Sequence, residues 1–201
     1  MDINTHSMQG QYVYLEKLLP AHDNILRQLA KDDRIWEFTK AFAINEDFDK
    51  QFDTYINTAH DKDALNGQQA FVVKKRADGA IIGMTRFYDI NPKDKRLAIG
   101  YTWYLPEIWG KPHNKECKLL LLQYVFEELG FNRTEFHVAH QNIRSQKAVE
   151  KIGGFKEGVL RNHGYRNDGS VRHTVMFSII REEWPEKKEK LIRLISANEN
   201  L

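Results

Sequence analysis

The stretch WGKPHNKECK, Trp109–Lys118, decides how the chain folds. A glycine and a lysine stand just before a long apolar helical pattern, with a proline between them and the helix. A helix leaves its first amides unpaired and carries partial positive charge at that end, so such a junction can hold an anion. Proline removes one donor, but its fixed φ suits the first helical position, where that donor would have lacked a partner anyway. Pro112 therefore pre-forms the turn, and the amides of Gly110, Lys111, His113 and Asn114 are expected to stay available. An ordinary strand-to-helix connection uses the same kind of turn, so the loop alone leaves both readings open.

Outward from this junction the pattern is legible in both directions. Pro112 to Leu129 reads as a helix whose apolar residues, Leu119 to Leu122, Val125, Phe126 and Leu129, form a face wide enough to pack on a sheet, with Gly130 as its stop. Upstream, YVYLEKL at 12–18 alternates like a strand, and Pro20, His22 and Asp23 open a helical, aromatic-rich region reaching about residue 60, with Trp36, Phe38, Phe42, Phe48, Phe52 and Tyr55. AFVVKK and AIIGMTRFYDI are strands joined by the turn RADG, and LAIGYTWYL at 97–105 continues the meander. Downstream come a strand RTEFHVA at 133–139, a helix at 142–152 capped by Asn142 and stopped by Gly153, and two strands, FKEGVLR and RHTVMFSII, around the turn NDGS. EEWPEKKEKLIRLI reads as a polar helical tail. Antiparallel pairing early and a strand-helix-strand crossover late predict an α+β fold with a mixed sheet.

Totals narrow the function. With 201 residues, 41% of them hydrophobic, the chain suits one core, and a single domain over 1–201 is expected, with 1–9 flexible and 182–201 as the tail. Thirty basic against 28 acidic residues leave a net charge of +2, which forces no broad cationic face, so no specific nucleic-acid partner is expected. One cysteine, Cys117, excludes an internal disulfide and a cysteine-based zinc site, and reads as a small buried thiol on an apolar face. No window approaches the roughly 20 apolar residues of a membrane span, and the start lacks a signal-peptide pattern, so a cytoplasmic setting without a membrane partner is expected. The histidines form no metal motif, and neither G-x-x-x-x-G-K-[ST] nor G-x-G-x-x-G after a strand occurs.

Residues 98–161, from AIGYTWYLPEIWGKPHNKECK through HVAHQNIRSQKAVEKIGGFKEGVLR, resemble the GNAT superfamily of acyl-CoA-dependent N-acetyltransferases, within the branch of the RimJ/RimL ribosomal-protein acetyltransferases. The features that carry this are WG followed by the N-x-E-x-K helix start, N-x-R-S-x-x-A at 142–148, and GF-x-EG at 154–158. The resemblance implies a three-layer α/β/α fold around a partly splayed sheet of about seven strands. It implies that acetyl-CoA is the cosubstrate, with the backbone of Ile99, Gly100, Tyr101 and Thr102 along its pantetheine arm. The diphosphate would lie on the loop Trp109, Gly110, Lys111, Pro112, His113 and Asn114. It gives Asn142 a coenzyme contact beside its capping role, and Ser145 both a coenzyme contact and the task of donating to the leaving thiolate. Pro112 stands where the family has glycine, and Ala98 where many relatives carry glutamate.

An attacking amine must be neutral, so a base is needed: Glu157 is the first candidate, His137 and His140 flank the strand end, and a water chain can substitute for all three. The expected activity is direct acetyl transfer to a primary amine, and the alternative is a non-catalytic acyl-CoA-binding module of the same fold. Protein N-termini, a free amino acid, a polyamine and an antibiotic amine are all open as acceptors. The acceptor site is expected from region 22–60 and turn 162–173. A monomer or a homodimer is expected.

Overall fold

Alternating side chains build two cores, one on each face of a single sheet. The computed structural model describes residues 8–38, 47–166 and 169–197. Seven strands, β1 (Val13–Lys17), β2 (Gln68–Lys75), β3 (Ile81–Asn91), β4 (Arg96–Tyr104), β5 (Arg133–Ala139), β6 (Phe155–Tyr165) and β7 (Val171–Ile180), lie in the order β1-β2-β3-β4-β5-β7-β6. All neighbours pair antiparallel except β4 and β5, which are parallel. On β2, Ala70 and Val72 face α1 (Asp23–Leu29) and α2 (Phe48–His60), while Phe71 and Val73 face α3 (Pro112–Gln123), as a two-residue period requires. The first core holds Leu26, Trp36, Phe52, Tyr55 and Trp103. The second joins α3 to α4 (Ile143–Lys151) and α5 (Trp184–Ser196) through Cys117, Leu121, Leu122, Val149, Ile152, Leu191 and Ile195. This is the mixed seven-strand sheet and the three layers the sequence predicts.

Capping explains two helix starts. Asp47 accepts from the amides of Asp49 and Lys50, at 3.0 and 3.3 Å, and opens α2. Asn142 Oδ1 accepts from the Ser145 amide at 2.9 Å and opens α4. Gly130 and Gly153 take φ of +64° and +97° where helices stop, the left-handed conformation that glycine adopts without strain. The helix from Pro112 runs as α3 to Gln123 and continues as one π-helical turn over Tyr124–Glu128.

The helical tail is borne out with an addition, and two expectations need correction. The polar tail is a docked helix: Trp184, Leu191 and Ile195 are buried, and Trp184 Nε1 donates to Glu127 Oε1 at 2.7 Å. Charged residues outnumber apolar ones along it, but the apolar ones share one stripe. Met8, expected in a flexible start, is 1% exposed, and its carbonyl accepts from the Leu15 amide at 3.0 Å. β6 also runs to Tyr165, longer than FKEGVLR. Residues 1–7, Phe42, and the first two residues of the NDGS turn lie outside the described residues.

Candidate active site

β4 and β5 pair only at Arg96↔Arg133, Leu97↔Thr134 and Ala98↔Glu135. Beyond Ala98 they part, and a cavity of about 470 Å³ opens between them. A bulge turns β4 at this point: Met84 pairs with Trp103 but Arg86 with Gly100, so Tyr101 and Thr102 together oppose Thr85. The extra residue inverts the side-chain parity of the strand. Leu97 and Ile99 lie in the α3 core, whereas beyond the bulge Trp103 lies in the α1/α2 core and Tyr104 returns to the α3 side. Tyr101 sits at φ +50°, an uncommon backbone for a bulky residue and a mark of strain held at this turn. Gly100 is required for space, since a Cβ there would come within 2.8 Å of the Tyr88 ring.

Of the predicted coenzyme residues, Ile99, Gly100, Tyr101, Thr102, Trp109, Gly110, Asn114, Asn142 and Ser145 line this one cavity. Lys111, Pro112 and His113 do not line it. Lys111 is exposed just before α3, Pro112 is the first residue of α3, and His113 turns its ring toward Tyr12, with centroids 6.0 Å apart. The Lys111 amide, expected to be free, donates to the Ile108 carbonyl at 3.2 Å. His113 and Asn114 hold the second and third positions of α3, where helix geometry supplies no carbonyl. Gly110 has φ +80°, which lets the loop reverse into the helix. The loop is held in place by Trp109, whose Nε1 donates to the Tyr104 carbonyl at 3.0 Å while the Arg144 guanidinium lies 3.8 Å over its ring.

Ser145 is half-buried on the cavity wall one turn into α4. Glu157 is elsewhere: Arg133 on β5 reaches across β7 and binds it through both nitrogens at 2.6 Å, and Ser178 donates to it at 2.7 Å. The Arg133 hydrogen bonds, with help from Ser178, hold its carboxyl below the usual range, which makes it a weak base. His137 does line the cavity, and its Nε2 lies 3.1 Å from Glu135 Oε2. That contact, with Arg133 beside it, lowers the Glu135 carboxyl to about 2. His140 stacks edge-on against His173 at 4.7 Å and is not among the lining residues. Burial raises the Cys117 thiol, as suits an inert core cysteine.

Sequence reading passed over Lys118. Its Nζ donates to Thr102 Oγ1 at 2.9 Å inside the cavity, Thr102 Oγ1 lies 2.7 Å from Thr85 Oγ1, and burial lowers the lysine's pKa. The signal was present: position 118 falls on the apolar stripe with Leu121, Leu122 and Val125, where a lysine is out of place. The Glu135–His137 pair was also readable, since residues two apart on a strand share a face. Trp36, Tyr88 and Arg172, which complete the wall, come from distant segments and carry no local mark. Among the described residues no group of three or more His, Cys, Asp or Glu comes together as a metal site, and no helix is long and apolar enough to cross a membrane.

A sheet parted after a bulged fourth strand, with a loop-to-helix junction at its mouth, is the geometry of an acyl-CoA-dependent transferase fold. The family model of the GNAT acetyltransferase domain matches residues 13–154, and the chain belongs to that family. Among curated proteins it is 32% identical over 124 residues to "Putative ribosomal N-acetyltransferase YdaF" of Bacillus subtilis, covering 62% of this chain and 65% of that protein. Among solved structures, a GCN5-related N-acetyltransferase from Brucella melitensis aligns over 96% of this chain and 86% of its own, with TM-score 0.84 and 26% identity. A variant of SpeG spermidine N-acetyltransferase from Vibrio cholerae shares the fold, with TM-score 0.66 and 22% identity over 86% of this chain and 96% of its own.

Proposed function

We propose that residues 1–201 act as one catalytic domain, an N-acetyltransferase that passes the acetyl group of acetyl-CoA directly to a primary amine. The observation that carries this reading is the separation of β4 from β5 after Ala98, with the Tyr101 bulge on one wall and Ser145 on the other. The residues present fit the cosubstrate. Asn114 Oδ1 is buried without a partner and suits a pantetheine amide donor, and the exposed cations Lys111 and Arg144 stand by the loop where a diphosphate would enter. When bound, the cosubstrate supplies an activated acetyl thioester. In this reading a backbone amide at the β4 bulge polarises the thioester carbonyl, the part an oxyanion hole plays. His137, oriented by Glu135, accepts the proton of the attacking amine, and the Ser145 hydroxyl donates to the leaving sulfur. Asn142 holds the α4 start that presents Ser145.

The rival is a module that binds the coenzyme without transfer. It draws support from Ala98, which is fully buried with no acidic group, and from Glu157, which Arg133 occupies. Calorimetric titration with acetyl-CoA, run beside release of free thiol over a panel of amines, separates the two. Binding with amine-dependent thiol release is expected. Binding without release selects the module, and absence of binding removes both readings.

A further inference from the structure

The end of the cavity away from the α3 loop is lined by Tyr88, Tyr101, His137, His163 and Arg172. Arg172, on β7, donates from Nη1 to Thr174 Oγ1 at 2.9 Å and from Nη2 to the His137 carbonyl at 3.5 Å. Its Nε is buried and has no partner. Behind the wall, Arg86 is completely buried between the rings of Tyr55 and Tyr101, 4.4 and 4.7 Å from their centroids. Its nitrogens reach only the Gln68 side-chain oxygen and the Tyr55 carbonyl, and its Nε is also unpartnered. Neither arginine has a carboxylate partner among the described residues, and none of the described lining residues is acidic.

Five other arginines do have carboxylate partners. Arg27 pairs with Asp49 and Asp53, Arg34 with Asp32, Arg96 with Asp89, Arg133 with Glu135 and Glu157, and Arg193 with Glu189. Arg86 behind the wall and Arg172 on it are thus largely buried cations without a carboxylate, and a low-polarity setting is where an isolated charge is most costly. Burial pulls the pKa of Arg172 down, which is the direction an unmet anion would reverse. A polycation such as spermidine would add charge to this end and gain no partner there.

Resting on the acetyltransferase reading, we propose that the acceptor is an amine that carries a carboxylate, and that Arg172 holds that carboxylate. Two sources share this chemistry: a free amino acid, and a peptide whose first residue is acidic. Guanidinium and carboxylate meet as a planar two-point pair, so the contact also fixes where the amine points relative to His137.

The test compares kcat/KM, from thiol release, for free amino acids against their carboxamides, for amide-capped peptides beginning with Asp or Glu against Asn or Gln, and for spermidine. The carboxylate member of at least one pair is expected to lead by about 10- to 100-fold, the usual worth of a hydrogen bond to a charged group, and the pair that shows it identifies the source. Arg172→Gln should bring that ratio toward one, and Arg172→Lys should restore part of it. Equal rates within both pairs, a preference for spermidine, or an unchanged ratio in Arg172→Gln would overturn the proposal. If no amine releases thiol, the transfer reading fails separately. Titration of the coenzyme-loaded chain with an amino acid and its carboxamide, followed by fluorescence of Trp36 and Trp103, then decides this point, and equal affinities overturn it.

Discussion

At the scale of single residues, position in the site and position in the sequence often disagree. Ser145 was legible because it stands three residues after a capping asparagine in a recognisable pattern, and the structure sets it on the cavity wall. A donor to the leaving group acts mainly in the transition state, so Ser145→Ala is expected to lower kcat on the order of 100-fold and to change KM for acetyl-CoA little. Steady-state kinetics over both substrates checks this, and an unchanged kcat removes Ser145 from the mechanism. Glu116 was visible only as part of the N-x-E-x-K pattern, and its role was not. Its carboxylate accepts from the amides of Gln11, Tyr12 and Val13, each at 2.7 Å, so one side chain of α3 anchors the start of β1 about a hundred residues away. Glu116→Ala leaves those donors without their acceptor and should cost about 3 kcal/mol, read as a lower urea midpoint at unchanged m. No local pattern could have revealed that contact.

At the scale of elements, the sheet explains why one candidate base fails and another takes its place. Arg133 and Glu135 on β5, Ser178 on β7 and Glu157 on β6 form one polar network across three strands, and it consumes Glu157. His137 lies at the end of that network where β5 meets the cavity. The strand alternation of RTEFHVA exposes this face in the sequence, but β7 lying between β5 and β6 is a matter of topology. The network also makes a prediction about pH. The Glu135 carboxyl is depressed in the folded chain to about 2 from its usual 4.5, so its contribution to stability is complete above about 4.5 and is lost as pH falls toward 2. Urea unfolding between pH 5 and pH 2 should show this acid limb, and Glu135→Gln should flatten it. The same slope in both proteins would mean that other carboxylates control acid unfolding.

At the scale of the whole molecule, α5 closes the layer outside α3 and makes the helical tail part of the core. Leu191 and Ile195 alone remove apolar surface worth about 3–6 kcal/mol from water, against a total stability of about 5–15 kcal/mol for an ordinary domain. A chain ended at Glu183 should therefore lose cooperative unfolding or fail to fold. Thermal denaturation checks this, and a truncated chain that melts like the full one would show that α5 is dispensable. By itself the sequence determined what depends on near neighbours: the order of strands and helices, their caps and glycine stops, the α+β class, and the loop from Trp109 to Asn114 before α3. Only the tertiary structure decided which buried charges face the cavity, why Glu157 is occupied, and that Lys118, Arg86 and Arg172 gather around the parted strands. Caps and turns are set by backbone geometry within a few residues, whereas an unpaired cation is recognised only when every group packed around it is known.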